Sequence, residues 1–163
     1  MKKEIQDFEN CVNPGPVLAV SCRGPKGEEN ALAVGYGCNC SFDPPMVMVG
    51  IVPSRYSYDL IKESGVFVAN LVSENNREEL EFLGDNSGRD VDKFEELNLE
   101  VKDGEKVDAP LLLDFPVNIE CEIVNSMKTG SHEMFAGKVV NILADKEYVN
   151  DEGEVEYSEI NYL

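Results

Sequence analysis

The 163-residue chain has no tryptophan and a single histidine, His132. No serine or cysteine elbow lies near that histidine and G-x-S-x-G is missing, so nucleophilic hydrolase chemistry has no support. The five cysteines, Cys11, Cys22, Cys38, Cys40 and Cys121, form an odd set without C-x-x-C. No histidine stands at zinc spacing from them, and no metal site is expected. Basic residues are scarce: Lys+Arg 14 against Asp+Glu 32 gives a formal net charge of −18. A sequence-independent embrace of nucleic acid or of an anionic membrane would be repulsive, so neither is expected as a partner. Long apolar runs are absent as well. The longest, Met46 to Val52, is too short to span a bilayer, and the opening MKKEIQDFENC has no apolar signal region. A cytoplasmic location with reduced thiols is the expectation. Neither G-x-G-x-x-G nor a Walker A sequence occurs, which excludes a separate Rossmann or P-loop domain.

What remains is apolar enough to fold, with 42% hydrophobic residues against 28% charged. Its length fits one domain over residues 1–163, with an acidic C-terminal extension from about 145. The charge is uneven. Residues 74–108 hold 13 acids and 5 bases, residues 145–163 hold 7 acids and 1 base, and the rest carries only −4. Solvated acidic faces are the ordinary reading of such runs. The near-neutral body can still hold a small anion where a few cations gather.

The hydrophobic pattern is that of a β protein. Pro14-Gly15-Pro16 precedes a first strand over Val17–Cys22, and Arg23-Gly24-Pro25-Lys26-Gly27 forms a turn. From Ala31 to Cys40 the alternation predicts one strand. Leu32, Val34, Tyr36, Cys38 and Cys40 share a packed face, while Ala31, Ala33, Gly35, Gly37 and Asn39 leave the other nearly bare. Asp43-Pro44-Pro45 ends it, and Met46–Val52, apolar on both faces, reads as a buried strand. A short helix follows over Arg55–Glu63 with Ser54 as its N-cap. Gly65–Val72 is a strand, Asn76–Leu97 two short helices broken near Gly84–Gly88, and Ala109–Pro116 a loop. Val117–Ser126 and Met134–Leu143 pair around a turn at Lys128–Ser131. Residues 150–163 are expected to extend from the body or cross to a partner chain. Many strands with short connections predict a closed or partly closed antiparallel barrel.

Two polar clusters stand out. Ser54-Arg55-Tyr56-Ser57 at a helix start offers free N–H groups, hydroxyls and a guanidinium, the makings of a phosphate-type anion site. Ser87-Gly88-Arg89-Asp90-Val91-Asp92-Lys93-Phe94 sets two cations in an acidic segment.

Taken in order, Asn30-Ala31-Leu32, Ser41-Phe42-Asp43-Pro44-Pro45, Arg55-Tyr56-Ser57, Val68-Ala69-Asn70-Leu71, the Ser87–Phe94 segment and Gly130-Ser131-His132 resemble the flavin reductase-like, FMN-binding split-barrel proteins, especially their flavoredoxin branch. The resemblance covers roughly residues 14–144. It implies a mainly β fold, a split β-barrel of Greek-key type with a few short helices, and a homodimer with non-covalent FMN near the subunit interface. NADH or NADPH would be the electron donor, and a small molecule or a protein the acceptor. Carried over, Ser54, Arg55, Tyr56, Ser57, Ser87, Gly88 and Lys93 would hold the phosphate and ribityl chain. Cys38, Asn39, Cys40 and Ser41 would run along the isoalloxazine, with Asn70 and His132 approaching it and His132 the candidate catalytic residue. Ser131 stands where an acidic residue often precedes the histidine. Without direct NAD(P)H oxidation, the same resemblance implies an FMN electron carrier.

Overall fold

The computed structural model describes residues 2–4, 6, 9, 11, 12 and 15–163, so Pro14 of the expected opening break lies outside the described residues. The chain forms β1 (Leu18–Arg23), β2 (Glu29–Val34), β3 (Gly37–Phe42), β4 (Pro45–Ile51), α1 (Tyr56–Ser64), β5 (Val66–Leu71), α2 (Arg77–Asp85), α3 (Lys93–Glu96), β6 (Val101–Asp103), β7 (Pro110–Leu112), β8 (Val117–Lys128) and β9 (Glu133–Ala144). Seven strands make one antiparallel sheet in the order β2-β1-β5-β8-β9-β4-β3, and β6 pairs with β7 apart from it. Hairpins β1–β2, β3–β4 and β8–β9 are interleaved with the non-sequential neighbours β1–β5, β5–β8 and β4–β9, a Greek-key pattern.

The expected strand Ala31–Cys40 is two strands on opposite edges of this sheet, β2 and β3, joined by a bend at Gly35-Tyr36. Because successive strands here are the two edges, the sheet must curl until they approach one another. Gly50 N–H donates to Tyr36 C=O at 2.7 Å, and a Cβ on Gly37 would stand 2.7 Å from Leu18 Cδ1. The result is a barrel left open along one seam. Leu32 and Val34 pack inward as expected, whereas Tyr36, Cys38 and Cys40 are exposed. The pattern breaks at a β-bulge between Asn39 and Ser41 and at the bend before it.

Inside the barrel lie Val20, Val49, Ile61, Phe67, Val117 and Phe135. Outside it, Ala19, Ala31, Leu80, Leu83, Leu112 and Phe115 form a second apolar layer beneath α2 and the β6–β7 pair. The expected loop Ala109–Pro116 thus contains β7, whose buried Pro110-Leu111-Leu112 pairs with β6. The C-terminal segment folds back on its own chain rather than leaving it. Ser73 bridges Tyr162, Glu74 N donates to Asn161 C=O at 2.8 Å, and Ile160 is buried with the barrel core. No helix among the described residues is long and apolar enough to cross a membrane.

Candidate functional site

β4 stops at Ile51, and Pro53 and Ser54 turn the chain into α1. Arg55, not Ser54, holds the N-cap position, in extended conformation (φ −72°, ψ 144°), and no side chain caps the helix. Tyr58 N donates to Arg55 C=O at 3.1 Å, while the N–H groups of Tyr56 and Ser57 and the positive end of the helix dipole are left without a side-chain cap. Opposite stands the loop between α2 and α3, folded tightly because Asp90 N and Val91 N both donate to Ser87 C=O. Arg89 ties the two walls together: its Nη1 donates to Ser54 C=O at 3.0 Å and its guanidinium lies 5.5 Å from the Tyr56 ring centroid. At Gly88 a Cβ would stand 2.4 Å from Asn30 Oδ1 and 2.6 Å from Tyr56 Cδ1, so only glycine lets the loop come this close. Asn30, Leu32 and Ala33 of β2 form the floor.

These elements enclose a cleft of about 270 Å³. That is slightly below the ~300–1,000 Å³ of whole small-molecule sites, room for the polar end of a larger ligand. Ser54, Arg55, Tyr56, Ser57, Ser87, Gly88 and Lys93 all line it, so both polar clusters of the sequence meet in one place.

Its electrostatics run against the rest of the molecule. Arg55, Arg89 and Lys93 line the cleft, and no aspartate or glutamate does. Among the described residues none of the three is in an ion pair, whereas Arg23, Lys62, Arg77 and Lys102 are. Lys93 is buried, with Nζ donating to Ala31 C=O at 2.8 Å and Leu83 C=O at 2.7 Å. Burial, and next the nearby Arg55, push its pKa down to about 8. A third ammonium proton has no partner among the described residues. Below the cleft, Asn30 Nδ2 donates to Ser57 Oγ at 2.7 Å, and both residues are buried. Next to them lies the Cys22 thiol, pushed up to about 12 by burial. Cations and hydroxyls without carboxylates make the cleft complementary in charge to an anion.

The remaining candidates lie elsewhere. Cys38 and Asn39 border a separate, mainly apolar hollow of about 120 Å³ at the barrel mouth, beside Leu18, Val47 and Leu71. Cys40 and Ser41 sit at the bulge of β3, and local burial together with Cys38 pushes the Cys40 thiol up. Asn70 does not approach the cleft. It is fully buried, its Nδ2 donates to Ala19 C=O at 2.9 Å and Ser21 Oγ at 3.0 Å, and its Oδ1 accepts from Asn118 Nδ2 at 2.8 Å. Its amide thus joins β1, β5 and β8, a task the strand pattern alone does not reveal. His132 precedes β9, its ring centroid 4.5 Å from that of Tyr36 and its Nδ1 2.8 Å from Ser131 Oγ. Tyr36 follows the floor residue Ala33 by three positions, within about 11 Å of extended chain. Sequence reasoning missed Asn30 as a site residue, although a polar residue inside the apolar run of β2 was the available signal.

The sequence matches the flavin reductase like domain over residues 11–161. An uncharacterized protein of Aeropyrum pernix is 35% identical over 114 residues, 69% of this chain and 43% of that protein, so the chain spans less than half of that relative's length. A flavin reductase of Pseudomonas putida is 26% identical over 134 residues, 82% of this chain and 75% of that one. Among solved structures, flavoredoxin from Methanosarcina acetivorans superposes with a TM-score of 0.90 at 26% identity, covering 100% of this chain and 86% of the other. With an open antiparallel barrel, a cation-lined cleft on its flank and a match over almost its whole length, the chain belongs to the flavin reductase-like, FMN-binding split-barrel family.

Proposed function

We propose that the chain binds FMN non-covalently and works as a flavin reductase-like oxidoreductase, taking reducing equivalents from NADH or NADPH and passing them to a second acceptor. The observation that carries this reading is the convergence of Arg55, Arg89 and Lys93, without a carboxylate, in one cleft of a molecule of net charge −18. The cleft fits a phosphomonoester by its chemistry, since every charged group lining it is a cation and no side chain caps the start of α1. Arg55, Ser57 and Lys93 would hold the phosphate, and Ser54, Tyr56, Ser87 and Gly88 would flank the ribityl chain. When bound, the flavin supplies the hydride and electron steps, while the protein sets position, charge and access. Gly88 and Arg89 close the loop onto α1 and would limit water at a bound phosphate.

Cys38, Asn39, Cys40 and Ser41 lie outside the cleft on the exposed edge strand. We place the ring beside this ribbon near the interface of a homodimer, with His132 on the same side through its contact with Tyr36. Phe42, 95% exposed, supports an apolar interface there. The five free thiols fit a reducing, cytoplasmic setting.

A purified sample should show the flavin absorbance bands or acquire them with FMN, and anaerobic NADH or NADPH should bleach them. Failure to take up FMN would falsify the reading. Bound FMN that neither nicotinamide bleaches would favour a second reading, a flavoredoxin-like electron carrier. The acid excess outside the cleft supports that alternative, as a docking surface for a basic protein partner.

A further inference from the structure

Asn30 carries no charge, yet it joins the floor of the cleft to α1 and to the Gly88 loop. It lies on β2 with 4% of its surface exposed. Its Nδ2 donates to Ser57 Oγ at 2.7 Å in the first turn of α1, and its Oδ1 faces the Gly88 backbone so closely that a Cβ there would be 2.4 Å away. Its own C=O pairs back to β1 through the Cys22 thiol at 3.6 Å.

The direction of the Asn30–Ser57 bond matters. An amide nitrogen can only donate, so the Ser57 oxygen is fixed as acceptor toward Asn30. The one hydroxyl proton of Ser57 is then directed away from Asn30, toward the Cys22 sulfur or toward a ligand. Arg55, Arg89, Lys93 and the open N–H groups of α1 are donors as well. Oriented by Asn30, the serine joins a set of donors and does not turn its lone pairs on the anion.

We propose that Asn30 is a positioning residue of the anion cleft. It acts through Ser57, setting that hydroxyl as a donor and so selecting a fully deprotonated, acceptor-only group such as the dianionic end of a phosphomonoester. The inference rests on the reading of the cleft as the FMN phosphate site and adds a residue to it. Asparagine and aspartate are nearly the same size, but an aspartate at this position would accept the serine proton, reverse the hydrogen bond and add a negative charge to a carboxylate-free site.

The test compares FMN with riboflavin, which lacks the phosphate, by quenching of flavin fluorescence on titration with wild-type protein and Asn30→Asp. Inorganic phosphate serves as a third probe through its effect on the thermal midpoint. The expected result is a loss of FMN affinity of about 100-fold in Asn30→Asp, with riboflavin affinity changed less than about threefold and the phosphate-induced rise in midpoint abolished. A residue that merely supported the fold would weaken FMN and riboflavin together, and that outcome overturns the proposal. Unchanged FMN and phosphate responses in the variant also overturn it, without touching the flavin reading. A wild-type chain that responds to phosphate but not to FMN removes the flavin reading alone. One that responds to neither removes both.

Should Asn30→Asp fail to fold, Asn30→Ala and Ser57→Ala combined in a double-mutant cycle decide the matter. Asn30→Ala should weaken FMN binding about tenfold in the wild type and have no further effect once Ser57 is alanine. Additive losses in the cycle overturn the proposal.

Discussion

At Lys93 an ammonium group is held between two carbonyl oxygens of β2 and α2, and burial with Arg55 lowers its pKa to about 8. In the unfolded chain a lysine keeps its proton to about 10.4. Between these values the unfolded state holds more protons than the folded one, so this residue makes the free protein more stable as pH rises through that window. Anion binding works in the opposite sense, because the dianion favours the charged ammonium and raises its pKa. Affinity for FMN should be level just below pH 8 and fall above it, by about tenfold between pH 8 and 9 at most. Burial holds the Cys22 thiol up at about 12, outside this range, whereas the lowered pKa of Lys93 falls inside it. Flavin fluorescence titrations across that range would show the slope in the wild type, and Lys93→Met should bind weakly with no slope. An equal slope in the variant would assign the proton elsewhere.

Elements are joined in this fold by a few buried polar groups, of which Glu120 on β8 is the clearest. Its carboxylate is fully buried and accepts from Lys106 N at 2.7 Å, Val107 N at 2.9 Å, Glu105 N at 3.2 Å and Asn141 Nδ2 at 2.8 Å. Burial alone would raise its pKa, but the Asn141 amide and the three backbone donors outweigh it, and the net displacement is downward. This contribution to stability is complete above the ordinary glutamate range and lost as pH falls through the lower folded value. Glu120→Gln should lose about 2–4 kcal/mol in urea unfolding at neutral pH and show a shallower decline into acid. A variant as stable as the wild type would mean that the β6–β7 loop is held by its apolar contacts.

The sequence made the long strands legible because their alternation or their apolar runs are uninterrupted, as in Val117–Ser126. It concealed the β2–β3 division because Gly35 and Tyr36 continue the alternating pattern through the bend. The three-residue strands β6 and β7 have too few positions to show a period, and the loop between them meets Glu120 only in three dimensions. At the site, Arg55, Ser57, Ser87, Gly88 and Lys93 were legible as polar clusters after a strand or between helices. Asn30 was passed over as a site residue, and the cross-strand hydrogen bonds of Asn70 went unforeseen, for one reason. Both are amides inside apolar strands, and only the three-dimensional neighbours show that the first faces the cleft and the second the outer layer.

On the scale of the whole molecule, large apolar side chains are exposed on β3 and on the outer half of the β8–β9 hairpin: Phe42 at 95%, Met127 at 59% and Val124 at 54%. If a second copy covers this surface, equilibrium sedimentation should give twice 18.1 kDa, and Phe42→Asp should shift the mass toward the single chain. A wild-type mass of one chain would remove the dimer.

The bend at Gly35-Tyr36 gives these two regions a mechanical relation. Two residues separate the strand that forms the floor of the anion cleft from the strand that carries Phe42, and so short a joint has no slack. Any force that lifts one rim of the barrel is delivered, across three peptide bonds, to the other. The seam is therefore less a gap than a taut stitch, and whatever seats itself on one side tensions the other.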